Sequence, residues 1–149
     1  MRSLNWVVRV HIECHTVVAL VLLASFAVPL NAQVTPTHGL IGKWAWTRPK
    51  NNCVEAHEYR ADGTRFVTNG EERTESRYSM SGPTEKGFLK LSVTTTKDHG
   101  GRDCGGDSAD DTGSTWSVYF RMHPSGQGVL FCYEESLRDC YGSFRRIGR

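Results

Sequence analysis

The residues of this chain that could do chemistry are an aspartate-rich run, a few histidines and a set of aromatic side chains. The run reads Asp98-His99-Gly100-Gly101-Arg102-Asp103-Cys104-Gly105-Gly106-Asp107-Ser108-Ala109-Asp110-Asp111. Its carboxylates and carbonyls are the hard oxygen donors that suit calcium. The spacing is not that of an EF-hand, and a single patch is no repeat array. The expectation is therefore a long solvated loop, Lys97 to Gly113, pinned by Cys104. Such a loop can also fold over a cavity or present a surface to a partner.

Beyond the first thirty-two residues the histidines are His38, His57, His99 and His123. No two have metal-ligand spacing, so no metal site is expected and ordinary surface histidines are the favoured reading, although His57, alternating with Glu55 and Tyr59, fits either face of a strand. Glu55, His57 and Glu58 read as solvated strand residues and not as an acid–base pair. Gly113-Ser114-Thr115-Trp116 lacks the second glycine and the following helix of a nucleophile elbow, so Ser114 reads as a strand start. With no nucleophile, acid–base pair or cofactor motif, the expectation is a protein that is not an enzyme and carries no cofactor.

The aromatics point elsewhere. Trp44 and Trp46 lie two apart, on one side of a strand, and with Phe66, Tyr78, Trp116, Phe120, Phe131 and Tyr133 they can either line a cavity or fill a small interior. Trp46, Tyr78, Trp116 and Tyr133 are the candidate ligand contacts. The two tyrosines are included because a buried hydroxyl must find a partner.

These side chains need a scaffold, and its first determinant is the N-terminus. Arg2 and Arg9 precede an apolar run from Val17 to Leu30, followed by Asn31-Ala32, the pattern of a cleavable export signal over residues 1–32. The run is shorter than the ~20 residues that span a bilayer, so no stable membrane anchor is expected. A flexible tail is expected over 33–39 and one domain over 40–149. The sequence has 149 residues and a formal net charge of +2. Losing Arg2, Arg9 and Glu13 with the signal leaves it near neutral, with charges interspersed, which argues against nucleic acid as a partner. Of the five cysteines, Cys14 leaves too. Cys53, Cys104, Cys132 and Cys140 remain, an even set in an oxidising compartment, secreted or periplasmic. Cys132 and Cys140 flank a hairpin turn around Ser136 and are expected to pair. Cys53 with Cys104 follows by elimination.

Eight extended segments fit between turn signals: 40–47, 53–60, 64–68, 73–80, 88–96, 114–122, 129–134 and 140–147. Asn69-Gly70 is a hairpin signal. Trp116, Val118, Phe120 and Met122 alternate with Thr115, Ser117, Tyr119 and Arg121, a period of two that marks a half-buried strand. Leu89, Leu91 and Val93 share a face, while Arg73, Glu75, Arg77 and Ser79 read as a wet one. The expected fold is all-β, an antiparallel up-and-down meander of about eight strands closed into a small barrel, since closure removes exposed edges.

Gly42-Lys43-Trp44 at the first strand, with Arg145 and Arg146 at the last, resembles the lipocalin or wider calycin pattern. There a Gly-x-Trp enters an up-and-down barrel and a late basic side chain packs over the indole. The resemblance implies structural roles for Gly42, Trp44 and one terminal arginine, Arg145 being the one assigned. It also implies a floor at Trp44 and a ligand cavity at the other end. The functional expectation is an exported binding protein for a small apolar or amphipathic ligand. The alternative is an extracellular or periplasmic protein-binding module, of inhibitor or immunity type, acting through its loops.

Overall fold

Alternation carries through the whole domain. The computed structural model describes residues 39–149. The expected export signal, and the expected tail up to residue 38, lie outside the described residues. Eight strands follow in order: β1 (Gly42–Thr47), β2 (Val54–Tyr59), β3 (Thr64–Asn69), β4 (Glu72–Ser81), β5 (Leu89–Asp98), β6 (Thr115–Met122), β7 (Gly128–Cys132) and β8 (Cys140–Gly148). Each pairs antiparallel with the next and β8 returns to β1, closing the barrel with no free edge. There is no helix among the described residues. All eight expected segments are present, with ends moved by a residue or two. The two-residue changes are at the start of the first, now Gly42, the end of the fifth, now Asp98, and the end of the seventh, expected to reach Glu134 but ending at Cys132.

The turns explain the register. β3 and β4 are joined by Gly70-Glu71, with Asn69 paired to Glu72 and Gly70 at φ 67°. A glycine at the first central position of a two-residue hairpin matches the twist of the flanking strands. Along β6, Val118 and Phe120 are buried while Thr115, Ser117 and Arg121 are exposed. On β4, Arg73, Arg77 and Ser79 are exposed, as the wet face requires.

The core comprises Leu40, Trp44, Tyr59, Leu91, Val93, Val118, Phe120, Val129, Phe131 and Phe144. Burying each large apolar side chain contributes about 1.5–3 kcal/mol. Phe66, expected among the possible cavity aromatics, faces outward instead. It alternates with the buried Arg65 and Val67 and lies under the Arg60 guanidinium, 4.1 Å from ring centroid to carbon.

One end of the barrel is a floor. The Trp44 indole donates from Nε1 to the Leu40 carbonyl at 2.7 Å. The arginine above its ring is Arg146, with Cζ 4.0 Å from the ring centroid. This corrects the assignment to Arg145, which is exposed on the outer face; alternation in β8 turns its neighbour inward. Arg146 donates to the carbonyls of Ile41, Gly126 and Gly39. Gly42 makes room for it: φ is +129°, and a β-carbon there would stand 2.5 Å from Arg146 Nη1.

The opposite end is the mouth, and both disulfides lie there. Cys132 and Cys140 are a cross-strand pair, bonded at the end of the β7–β8 hairpin. Cys53–Cys104 ties the β1–β2 turn to the long β5–β6 loop. Disulfides persist in oxidising compartments, which sets the kind of environment this domain suits.

Candidate functional site

The site is built from what the strands aim into the mouth. Trp46 on β1 and Trp116 on β6 stand on strands separated by β7 and β8. Between them is a cavity of about 560 Å³, lined by Trp46, Arg48, Glu55, Asn69, Asp111, Trp116, Ser117, Val118, Tyr133 and Tyr141. Three of the four expected ligand contacts, Trp46, Trp116 and Tyr133, are thus brought together. Tyr133 sits at the rim, 62% exposed, with its ring 5.3 Å from that of Tyr141. Tyr78 is elsewhere: it packs edge-on against Tyr59 and its hydroxyl donates to the Arg60 carbonyl at 2.6 Å, so it is no part of this cavity.

Below the cavity the interior turns polar. The β1–β2 register sets Trp44 opposite His57 and Trp46 opposite Glu55, so both polar residues face inward with the indoles. His57 is 3% exposed, so of the two strand faces open to it the inner one is taken, and it is not a surface histidine. One Glu55 oxygen meets His57 Nε2 at 2.7 Å and the other meets Arg48 Nη2 at 3.3 Å. Burial pushes the Glu55 carboxyl upward. The hydrogen bond and charge of His57, with Arg48, outweigh that and hold it below the usual carboxylate range. Burial, reinforced by the Arg65 charge, pushes His57 down to about 4, so it is neutral at physiological pH.

Arg65 is the least expected occupant. The Asp62-Gly63 turn pairs it with Tyr59, which places it indoors at 5% exposure. Its guanidinium lies 5.2 Å from the Trp116 ring and 5.6 Å from the Tyr59 ring. It donates from Nε to the Tyr59 hydroxyl at 3.3 Å and from Nη2 to His57 Nδ1 at 3.5 Å, the ring's acceptor once Nε2 donates to Glu55. Among the described residues no carboxylate forms an ion pair with it. Two other buried polar atoms lack a partner: Arg48 Nε, on a residue lining the cavity, and Ser76 Oγ, on the residue paired with Arg65 across β3–β4.

The aspartate loop forms the rim beside this cluster. Its carboxylates are engaged by its own backbone: Asp98 accepts from Gly100 and Asp111, Asp103 from Gly105 and Asp107, Asp107 from Ser108 and Ala109, and Asp110 from Thr112. Such turns are what aspartate does in loops. No three His, Cys, Asp or Glu side chains converge as a metal site among the described residues. The Arg102 carbonyl accepts from the Glu71 and Glu72 amides, binding the loop to the β3–β4 turn. Gly101 permits that approach, since a β-carbon there would meet the Glu71 carbonyl oxygen at 2.4 Å. Burial, then the charges of Asp98, Asp103 and Asp111, raise the Glu72 carboxyl.

A larger cleft of about 820 Å³ opens near the floor, lined by both inward residues such as Met122 and Val129 and outward ones such as Arg121 and Leu137. It holds neither of the unpaired buried atoms, so the mouth is the stronger site.

Glu55, His57 and Arg65 were open to a different reading of the sequence. Once Trp44 is inward, a short β1–β2 turn carries His57 in with it, and a tight turn after Tyr59 carries Arg65. Fold and site together define an all-β, disulfide-stapled, eight-stranded antiparallel barrel compatible with a lipocalin-like fold, with an aromatic mouth over a charged interior. No family model matches this chain, no curated protein is similar to it in sequence, and no solved structure matches its fold.

Proposed function

We propose that this protein is an exported, non-enzymatic binding protein of lipocalin-like type that holds one small amphipathic ligand in the barrel mouth. The observation that carries this reading is the cavity itself: aromatic walls from Trp46, Trp116, Tyr133 and Tyr141 above polar side chains, in a volume suited to a small molecule. Further support comes from the division of labour along the barrel. The lower interior is filled by Phe120, Phe131, Phe144 and Trp44, so a ligand belongs at the mouth and not through the length of the barrel. The apparent export signal and the two disulfides support release into an extracellular or periplasmic space.

The test is a fluorescence titration of the oxidised protein with small naphthalene derivatives of different charge, together with native mass spectrometry of protein exported to a bacterial periplasm. Saturable quenching that weakens in Trp46→Phe and Trp116→Phe is expected. No saturable binding of any probe, with no copurifying mass, would sink the proposal.

A second reading is favoured by one observation. The 99–114 loop is ordered by its own aspartates and anchored through Cys104, so its shape is set before any partner arrives. Preorganised loops lose less entropy on binding. A pull-down that loses a partner when residues 105–110 are shortened, with probe binding intact, would favour a protein-binding module.

A further inference from the structure

Resting on the proposed mouth cavity, we infer that its ligand is an amphipathic anion, a planar apolar body carrying a carboxylate, whose acid group is received by the Arg65 guanidinium.

The argument begins with charge. Three charged side chains stand at or behind the cavity wall: Arg48 and Glu55 in the lining, with the Arg48 side chain 30% exposed, and the buried Arg65 behind Trp116. Glu55 is already shared between Arg48 and His57. The imidazole is neutral, so it accepts or donates hydrogen bonds but balances no charge. One positive charge is left over, on a residue 5% exposed. Buried charges in proteins are paired, because an unpaired one is costly to desolvate. The remaining orphans are of the same kind. Arg48 Nε is a donor and Ser76 Oγ can donate, and neither has an acceptor. Ser76 stands directly across from Arg65, where paired side chains lie within about 5.5 Å at Cβ. A carboxylate beside Arg65 supplies the missing charge and, for the Ser76 hydroxyl across from it, the missing acceptor.

The surroundings fix its orientation. Asp111 lies at the exposed rim, so an acid group there meets a like charge, and Glu55 in the lining is already engaged by Arg48 and His57, whereas Arg65 stands behind Trp116 with no carboxylate partner. The acid end therefore points down and the apolar body stays between the indoles. A cationic ligand fits poorly. Arg48 already approaches the Trp46 ring at 5.7 Å and Arg65 the Trp116 ring at 5.2 Å, so the ring faces that would attract a cation are taken.

The experiment compares three probes that share a naphthalene body and differ in the charged or neutral end group, by calorimetry at pH 7.5: 2-naphthoate, 2-naphthamide and 2-naphthylmethylammonium. The expected result is naphthoate binding at least about tenfold tighter than the amide, as one charge-assisted hydrogen bond requires. In Arg65→Met the acid should lose that preference while the amide keeps its affinity, and Arg65→Lys should restore part of it. Equal affinity of acid and amide, a preference for the ammonium, or a preference for the acid that survives Arg65→Met would each overturn the inference while leaving the cavity reading intact. Binding of none of the three overturns both. The wild-type comparison of acid with amide decides the matter even if a variant folds poorly.

Discussion

The barrel places one arginine over an indole at its floor and another over an indole in its interior behind the mouth cavity, and the two pairs are built differently. At the floor Arg146 lies 4.0 Å above Trp44, and three backbone carbonyls accept its N–H groups. Behind the mouth Arg65 lies 5.2 Å from Trp116, and its polar neighbours are a neutral imidazole and a phenol. One guanidinium is satisfied by the fold. The other is held in reserve by it. The same side chain is a structural cap where acceptors converge on it, and is left open to the proposed ligand where they do not.

The mouth needs other means of support, which is the first way to strain the contrast. If covalent bonds hold the mouth as Arg146 holds the floor, the double variant Cys53→Ser, Cys104→Ser should lose about 4 kcal/mol, because the bond closes a loop of 51 residues. Urea unfolding of the oxidised proteins measures it. A loss near zero would mean that the 99–114 loop is held by its hydrogen bonds alone. Arg146→Met comes next. It forfeits the cation–π contact and strands the carbonyls of Ile41 and Gly126, a cost of about 3 kcal/mol by the same measurement.

Acid should act on the mouth and spare the floor. His57 titrates near 4 in the folded protein against an ordinary 6.5, so between those values the unfolded chain binds a proton that the folded one refuses. Stability therefore falls as pH falls through that window, by about 2 kcal/mol between pH 7.5 and pH 5. Glu55, held low, adds its own loss only below the ordinary carboxylate range, as pH falls through its folded value. His57→Gln should flatten the first part of the profile. An unchanged profile in that variant would remove His57 as its source.

The floor was legible in the sequence to within one residue. Gly42 and Trp44 mark it by type, and only the choice between Arg145 and Arg146 was left to the phase of β8. The strands were legible because their apolar alternation is strong in β5 and β6. The cysteine pairing followed from the hairpin around Ser136. The mouth was much less so. Glu55, His57 and Arg65 are polar residues on inward faces, so hydropathy places them outside, and only the hairpin registers with Trp44, Trp46 and Tyr59 bring them in. Tyr78 illustrates the reverse error. Its type suits a ligand contact, but its hydroxyl is consumed by the Arg60 carbonyl near the closed end. Residue type identifies a satisfied structural feature well. An unsatisfied one emerges only when its neighbours are known.

The smallest effect on stability discriminates best between the two arginines. Removing Arg65 should orphan nothing: the Tyr59 hydroxyl can still donate to His57 Nδ1, and His57 Nε2 can still donate to Glu55. What disappears is one uncompensated buried charge, so Arg65→Met should be neutral or stabilising by about 1 kcal/mol, against the large loss in Arg146→Met. The acid profile supplies an independent readout. The Arg65 charge helps to depress His57, so its removal moves the folded pKa back toward 6.5 and lessens the stability lost between pH 7.5 and pH 5. A destabilisation as large as that of Arg146→Met would make Arg65 a structural cap like its counterpart and dissolve the distinction between the two ends. A more stable, less acid-sensitive barrel that no longer prefers the acid probe would mean that the positive charge under the mouth is retained for binding, at the expense of the fold.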